Sequence, residues 1–387
     1  MDSTQYKKVI WSYQNRHETG ALHLGPADLD HLKQIHKKYA VQIETVPYVR
    51  VEFLLQKEKL ARYIIKELDS LLAVGGTFDI VIMDSKSHSS YTRSRDQVKY
   101  EMAISTNGRY QLFASESSRN HRTLRLSYKK TNAMLPKDDT IDKWSFGIIT
   151  NGKKINQVEQ LIASIAKQQI PHYEILICGP HQTHHEQIVL TMLDDVILQN
   201  DIRAPISAKK NKIIRAAKYN NLCILHDRFS LPDHWYQQFK QYGNYFEFLC
   251  LPTVDQFGNR FSVDWMRFCH PLTKRCTFNQ STNYSEWSEN QIIQGGVILG
   301  KRHLMLQSML DERLHWEELE DMQFSKMVYL NGALINTDNH NAFISEAHHH
   351  RPENAQPSTM LKFKAWMTWL RGVCSHFIKF NYYIRMH

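Results

Sequence analysis

Between residues 145 and 226 the apolar positions fall into short unbroken runs that alternate with stretches of helical spacing, a rhythm that predicts buried strands separated by helices. Residues 145–151 (Ser-Phe-Gly-Ile-Ile-Thr-Asn) read as a short buried strand. Residues 158–167 then space Val158, Leu161, Ile162 and Ile165 along one helical face, and 172–178 form a second strand that stops at Gly179-Pro180. Together they make a β-α-β unit, the opening of a largely parallel sheet. A helical stretch around 186–192, a short strand near 196–198, a basic helix over 209–219 and a buried strand at 222–225 follow. His226, Asp227 and Arg228 stand directly beyond that last strand. Ligands bind at the carboxyl ends of strands in open α/β sheets, which makes this triplet the first candidate site.

The first 140 residues have a different texture. Residues 60–72 read as an amphipathic helix, Gly75-Gly76 as a turn, and 78–83 as a buried strand ending at Asp84, whereas 85–95 is a polar Ser/Arg loop. The polar stretch 129–139, with its proline, is the candidate linker. The chain is thus expected to hold a smaller N-terminal α/β domain (1–140), a larger α/β domain (144–345) and a basic tail (346–387). Stepping 360–387 by about 100° per residue puts Trp366, Trp369, Leu370, Val373 and Phe377 on one side and Lys364, Arg371, Ser375 and Lys379 opposite. Lys362 falls on the apolar side. Such a helix suits the interface of an anionic membrane, and an apolar stripe of this kind packs equally well on a protein core.

Charge sharpens that picture. Lys plus Arg exceeds Asp plus Glu by 48 − 39 = 9, and residues 360–387 supply five of those charges (Lys362, Lys364, Arg371, Lys379, Arg385) without one acidic residue. The excess points to a local anionic surface rather than to nucleic acid, for which no recognition motif stands out. Six cysteines without C-x-x-C spacing, several inside apolar runs, fit reduced buried thiols of a cytoplasmic protein. Residues 1–15 carry no apolar core of signal-peptide length, and no run of about 18 apolar residues occurs. The expectation is a cytoplasmic protein, peripheral on the membrane at most.

Three further segments carry candidate chemistry. Phe-Gly-Ile-Ile-Thr-Asn-Gly at 146–152 ends in a polar loop; Ala208-Lys209-Lys210-Asn211 leads through Ala216-Ala217 to Ile224-Leu225-His226-Asp227; and Gly295-Gly296-Val297-Ile298 is followed by Trp316 and the acidic Glu317-Glu318-Leu319-Glu320-Asp321. In this order and spacing the chain resembles the GT-A glycosyltransferases of the family-two type over roughly residues 144–345. The resemblance implies a Rossmann-like mixed sheet flanked by helices. It also implies transfer of a sugar from a nucleotide-sugar donor to a saccharide or lipid-linked saccharide acceptor, in surface-glycan synthesis.

The same resemblance assigns roles. Asp321, with Glu320 beside it, becomes the catalytic base of an inverting displacement, since an attacking hydroxyl must lose its proton to a group within hydrogen-bond reach. Thr150, Asn151, Gly152, Lys210, Asn211, His226, Asp227 and Arg228 are expected around the nucleotide-sugar, and Trp316 on the acceptor. A divalent cation, Mn²⁺ or Mg²⁺, is expected on the diphosphate. Here the chain departs from the family's Asp-x-Asp, because His226 and Arg228 flank a single Asp227. Either His226 joins Asp227 as a metal ligand or Arg228 neutralises the diphosphate without one.

Plainer readings stand beside these. The lysines of 209–212 also fit the wet face of a helix, and Glu320-Asp321 also suits a helix N-terminus electrostatically. Leu22-His23-Leu24-Gly25 and Val74-Gly75-Gly76-Thr77-Phe78 faintly resemble degenerate Rossmann-type methyltransferases, but Pro26-Ala27-Asp28 stands where a glycine-rich cofactor loop is needed. Two alternatives to the transferase follow: a methyltransferase using the N-terminal domain, and a non-catalytic glycan-binding or scaffold protein on the same fold.

Overall fold

The computed structural model describes residues 21–24, 46–54, 62–83, 89–118, 123–136, 138–181, 190–196, 204–260, 264–267, 280–281, 284, 291–316 and 318–346. The proposed helix within 360–387 lies outside them, as do 84–88 and 186–189.

Apolar runs at 46–54 and 72–83 are long enough to cross a sheet, and they do so. In the N-terminal part β1 (Ala21–Leu24), β2 (Val46–Leu54), α1 (Arg62–Leu71), β3 (Leu72–Met83), α2 (Ser89–Ser105), β4 (Tyr110–Ser118) and β5 (Thr123–Lys130) form a five-stranded sheet in the order β1-β2-β3-β5-β4. β1, β2 and β3 are parallel, and β5 and β4 add antiparallel pairs. Among the described residues its parallel strands run in sequence order with no reversal of the kind that marks the cofactor crevice of doubly wound folds.

Gly75-Gly76 is not a turn: β3 runs straight through it, with a register slip against β2 between Val46 and Tyr48 that absorbs Gly75 at φ 84°. The expected loop over 85–95 is helical from Ser89 onward, docked further along by Val98 and Met102, one turn apart and both buried. The polar letters hid that stripe.

The larger sheet is built from β6 (Lys143–Ile149), β7 (His172–Cys178), β8 (Leu190–Leu193), β9 (Asn221–His226), β11 (Phe248–Cys250), β16 (Val297–Lys301) and β17 (Ile335–Thr337), in the order β17-β11-β16-β9-β6-β7-β8. β16 alone runs antiparallel to its neighbours. The helices are α3 (Ile155–Ala166), α4 (Ile206–Ala216), α5 (Trp235–Tyr242), α6 (Arg302–Gln307) and α7 (Glu320–Leu330). Short pairs β10 (Phe229–Ser230), β12 (Thr253–Val254) and β18 (Phe343–Ser345), and β13 (Met266–Arg267), β14 (Gln280–Ser281) and β15 (Gln291–Ile292), make two small sheets.

β6 is buried on both faces, as a central strand covered by helices must be. Trp144, Phe146 and Ile148 meet Leu161, Trp235 and Phe239 on one side, while Ile149 joins Ile213, Ile214 and Phe324 on the other. The α/β expectation, a mixed sheet flanked by helices, is what this region shows. One element differs. Residues 190–193 form an edge strand parallel to Ile175–Cys178, where the sequence predicted helix, because a four-residue apolar run has too little length to tell the two apart.

The stretch 129–139 is tied down rather than loose. Lys130, fully buried, donates to the carbonyls of Asp69 and Leu72 at 2.6 and 2.9 Å and pairs with the Asp69 carboxylate at 3.0 Å. Asp139 receives Lys301 at 3.2 Å and the side-chain amides of Asn220 and Asn244 at 2.5 and 3.0 Å. The two sheets are further joined by a buried ion pair between Lys66 of α1 and Glu247, whose second oxygen accepts the Leu334 amide at 2.8 Å. Burial pulls the Lys66 pKa down, and Glu247 works against that. Glu247→Gln leaves the ammonium buried and unpaired, with an expected loss of about 3 kcal/mol in urea unfolding. A loss under about 1 kcal/mol would show that the pair does not bind the sheets together.

Candidate active site

From β6 the chain winds first to β7 and β8 on one side and then returns to place β9 on the other. The strand order therefore reverses between β6 and β9, which in open α/β sheets marks the candidate crevice, outside the carboxyl ends of the two strands. Thr150 follows β6 and His226 closes β9, so both line it. The Thr150 hydroxyl donates to Asp227 Oδ2 at 2.9 Å and accepts the Gly152 amide at 3.1 Å. Lys209 reaches the Thr150 carbonyl at 2.9 Å and pairs with Asp195 at 2.7 Å. Asn151 is exposed, its side chain closing a turn onto the Lys153 amide at 3.0 Å.

Because β16 runs back along β9, the Gly295-Gly296 loop that precedes it arrives at the same edge. The His226 amide donates to the Gly296 carbonyl at 3.0 Å. Lys210, almost fully buried, donates to the Gly295 carbonyl at 2.7 Å and pairs with Glu320 at 3.3 Å. The Gly295 amide donates to Asp321 Oδ2 at 3.1 Å, and Met322 donates to Oδ1 at 2.8 Å. Glu320 and Asp321 open α7 directly after Leu319, a left-handed residue at φ 61°. That strained position turns the helix so that its first two carboxylates face the loop.

Electrostatics divides these groups into charged and neutral. Burial, and then the neighbouring Glu320, push the Asp321 carboxyl up to about 6, although Lys210 acts the other way. Burial, reinforced by Lys210 and Arg228, holds the His226 imidazole well below its ordinary range, so it is neutral at pH 7. Its Nε2 is buried with no hydrogen-bond partner among the described residues. A neutral imidazole with a free nitrogen is a competent metal ligand. The described residues, however, contain no group of three or more His, Cys, Asp or Glu arranged to hold an ion, and the His226-Asp227 pair gains no third member there.

The structure thus brings Thr150, Gly152, Lys210, His226, Asp227, Glu320 and Asp321 to one edge. Asn211 does different work. Its side-chain amide donates to the Leu310 carbonyl and Glu312 at 2.8 and 3.0 Å and accepts the Leu310 amide at 3.0 Å, so it pins the segment leading to Trp316. Trp316 itself is 56% exposed, as a stacking surface must be. Neither Lys209 nor Lys210 lies on a wet face.

Sequence reasoning placed Gly295 and Gly296 in a segment with candidate chemistry but gave neither glycine a role of its own. A Cβ on Gly295 would stand 2.9 Å from Glu320 Oε1 and 3.1 Å from Asp321 Oδ2, and one on Gly296 2.8 Å from the Phe229 ring and 3.0 Å from Arg228 Nη2. The signal available was the pair itself, since adjacent glycines before a buried strand mark close approach.

No family model matches this chain, and no curated protein matches it. Among solved structures it is similar to S. aureus TarS, at 15% identity over 53% of this chain and 37% of that one with a TM-score of 0.36. It is also similar to the mannosyltransferase PcManGT from Pyrobaculum calidifontis in complex with GDP-Man and Mn²⁺, at 13% identity over 56% of this chain and 62% of that one, TM-score 0.37. A third is GalNAc-T7 with UDP, GalNAc and Mn²⁺, at 13% identity over 57% of this chain and 47% of that one, TM-score 0.37. The chain spans less than two thirds of the length of each.

Gly295→Ala tests the edge directly. The added methyl meets two carboxylate oxygens and the Asp321 Cβ, at 2.9, 3.1 and 3.3 Å, among buried groups, so a melting curve should show a destabilised protein; an unchanged melting temperature would mean that the edge has room to give.

Proposed function

We propose that this protein is a nucleotide-sugar-dependent glycosyltransferase that moves a sugar to a hydroxyl of a saccharide or lipid-linked saccharide in surface-glycan synthesis. The observation that carries the reading is Asp321, a buried carboxylate raised to about 6, held over the crevice where the strand order reverses. Such a group is deprotonated at neutral pH yet basic enough to take a proton.

In the step we propose, the acceptor hydroxyl gives its proton to Asp321 as its oxygen attacks the anomeric carbon. The bond from that carbon to the diphosphate breaks, and the nucleoside diphosphate leaves with the electron pair. A single displacement inverts the anomeric centre. Thr150 and Asp227 form one hydrogen-bonded wall for the nucleotide, and the exposed Trp316 offers a face to the acceptor sugar. Glu320 is engaged by Lys210 at 3.3 Å, which leaves Asp321 for the base's role.

PcManGT and GalNAc-T7 are described with Mn²⁺. A divalent cation here would fall to His226 and Asp227, whose donor set is one carboxylate, already shared with Thr150, and one imidazole. The described residues do not amount to a metal centre.

The 1–140 region serves as a supporting domain and 144–345 as the catalytic one. No described helix is long and apolar enough to cross a membrane. We place the protein in the cytoplasm, with the basic tail from 346 on an anionic membrane face where a lipid-linked acceptor would lie. The single Asp227 favours one competing reading, a glycan-binding protein that has lost catalysis.

A thermal-shift panel with UDP, GDP, CMP and S-adenosylmethionine tests donor use, since a ligand bound to the native state raises its melting temperature. One nucleotide should stabilise; a shift with S-adenosylmethionine alone would sink the proposal. Asp321→Asn should then lower kcat about 100-fold or more while leaving nucleotide binding in place. A pure binder would show no turnover to lose.

The pH profile supplies a further check. Asp321 must be ionised to act, so kcat/KM should fall tenfold per pH unit below about pH 6 and level off above it. Its folded pKa is raised, so the native state holds more protons than the unfolded chain between the ordinary aspartate range and about pH 6. The contribution of Asp321 to stability therefore falls as pH rises through that window, opposite to activity. An acid limb that persists unchanged in Asp321→Asn would assign the titration elsewhere.

A further inference from the structure

Three basic side chains stand at the crevice, and their partners differ. Lys209 is paired with Asp195 and Lys210 with Glu320. Arg228 makes no ion pair with any described residue, and its Nε is buried without a hydrogen-bond partner. Its guanidinium packs toward the Phe229 ring, 5.2 Å from the centroid, and its Nη2 occupies space that only a glycine at 296 leaves open. The adjacent glycine, 295, touches the catalytic carboxylates in the same way. Neighbouring residues of one loop thus meet the proposed base on one side and, on the other, a cation without an ion pair among the described residues.

A largely buried cation with no ion pair in contact, its neighbour Asp227 acting only from a distance, is costly to fold and is matched by a ligand that supplies an anion. Beside it, the position expected to hold a metal offers one carboxylate and a neutral imidazole, with no third ligand among the described residues. We infer that Arg228, and not a divalent cation, neutralises the diphosphate of the donor. The inference rests on the glycosyltransferase reading and sharpens it.

The planar guanidinium presents parallel N–H donors that match two phosphate oxygens at once, which an ammonium does not. As the bond between the anomeric carbon and the leaving oxygen breaks, the electron pair passes to the diphosphate, and the new charge is met by Arg228. The acceptor proton goes to Asp321, so charge and atoms balance without a co-reactant.

The experiment measures melting temperature and UDP or GDP affinity by calorimetry on the full chain, in EDTA and in Mn²⁺, for wild type, Arg228→Met and Arg228→Lys. The expected result is nucleoside diphosphate binding by wild type that survives EDTA and weakens roughly 30-fold or more in Arg228→Met, with Arg228→Lys recovering only part. Uridine or guanosine, which lack phosphate, should bind wild type and Arg228→Met alike. The unliganded Arg228→Met protein should melt higher than wild type, because it loses an unpaired buried charge; a lower melting temperature would mean that Arg228 has a structural partner and would overturn the inference. Binding by wild type that requires Mn²⁺, or that is unchanged in Arg228→Met, would also overturn it. Failure of every nucleotide to bind wild type, with or without metal, would instead remove the glycosyltransferase reading on which the inference stands.

Discussion

Lys210 holds a charge where almost no water reaches it, and the neighbourhood is arranged around satisfying that charge. Its ammonium is bound by the Gly295 carbonyl and the Glu320 carboxylate, so one side chain joins α4, the diglycine loop and the start of α7. An ammonium buried without partners would be several kcal/mol too costly to keep, and the loop and helix therefore have little freedom to move apart. The same pairing gives two adjacent carboxylates different surroundings. Glu320 is in contact with Lys210, whereas burial, and then Glu320 beside it, push the Asp321 carboxyl up to about 6 against the pull of Lys210.

Buried ion pairs also tie distant segments together: Lys66 with Glu247 joins the two sheets' regions, Lys130 with Asp69 closes the N-terminal part on itself, and Lys301 with Asp139 holds the connecting segment to β16. Burial lowers the Lys301 pKa to about 8 against the pull of Asp139, which shows how dry this seam is. Pairs of this kind add little net stability over apolar packing, but they tolerate no mismatch. They make the mutual arrangement of these segments specific in a way that grease would not.

Much of this was legible from letters alone, and the failures have physical causes. The strand 172–178 was read to the residue because an apolar run bounded by Gly179-Pro180 leaves no other choice. The crevice was legible because Asp227 follows a buried strand and Asp321 follows a tryptophan-bearing acidic run. The segment 89–95 was misread because composition reports polarity and not partners, and the anchoring of 129–139 was not legible for the same reason: Lys130 and Asp139 find their counter-charges far away in sequence. Asn211 failed for the same reason, since nothing in its own neighbourhood announces Leu310. Arg228 shows the limit in the opposite sense, a residue whose meaning lies in the contacts it does not make.

One helix reaches every part of the crevice. Along α4, Lys209 grips the strand end that carries Thr150, and Lys210 grips the acidic pair. Ser207 holds the Leu314 carbonyl at 2.7 Å, and Arg215, with Asn211, holds Glu312 at 2.8 Å, below the exposed Trp316. An α-helix is stiff along its axis, so these grips cannot adjust separately. Through this one helix the strand end at Thr150, the acidic pair and the segment that carries Trp316 are tied to a common stiff part, so that a displacement of any one of them bears on the other two.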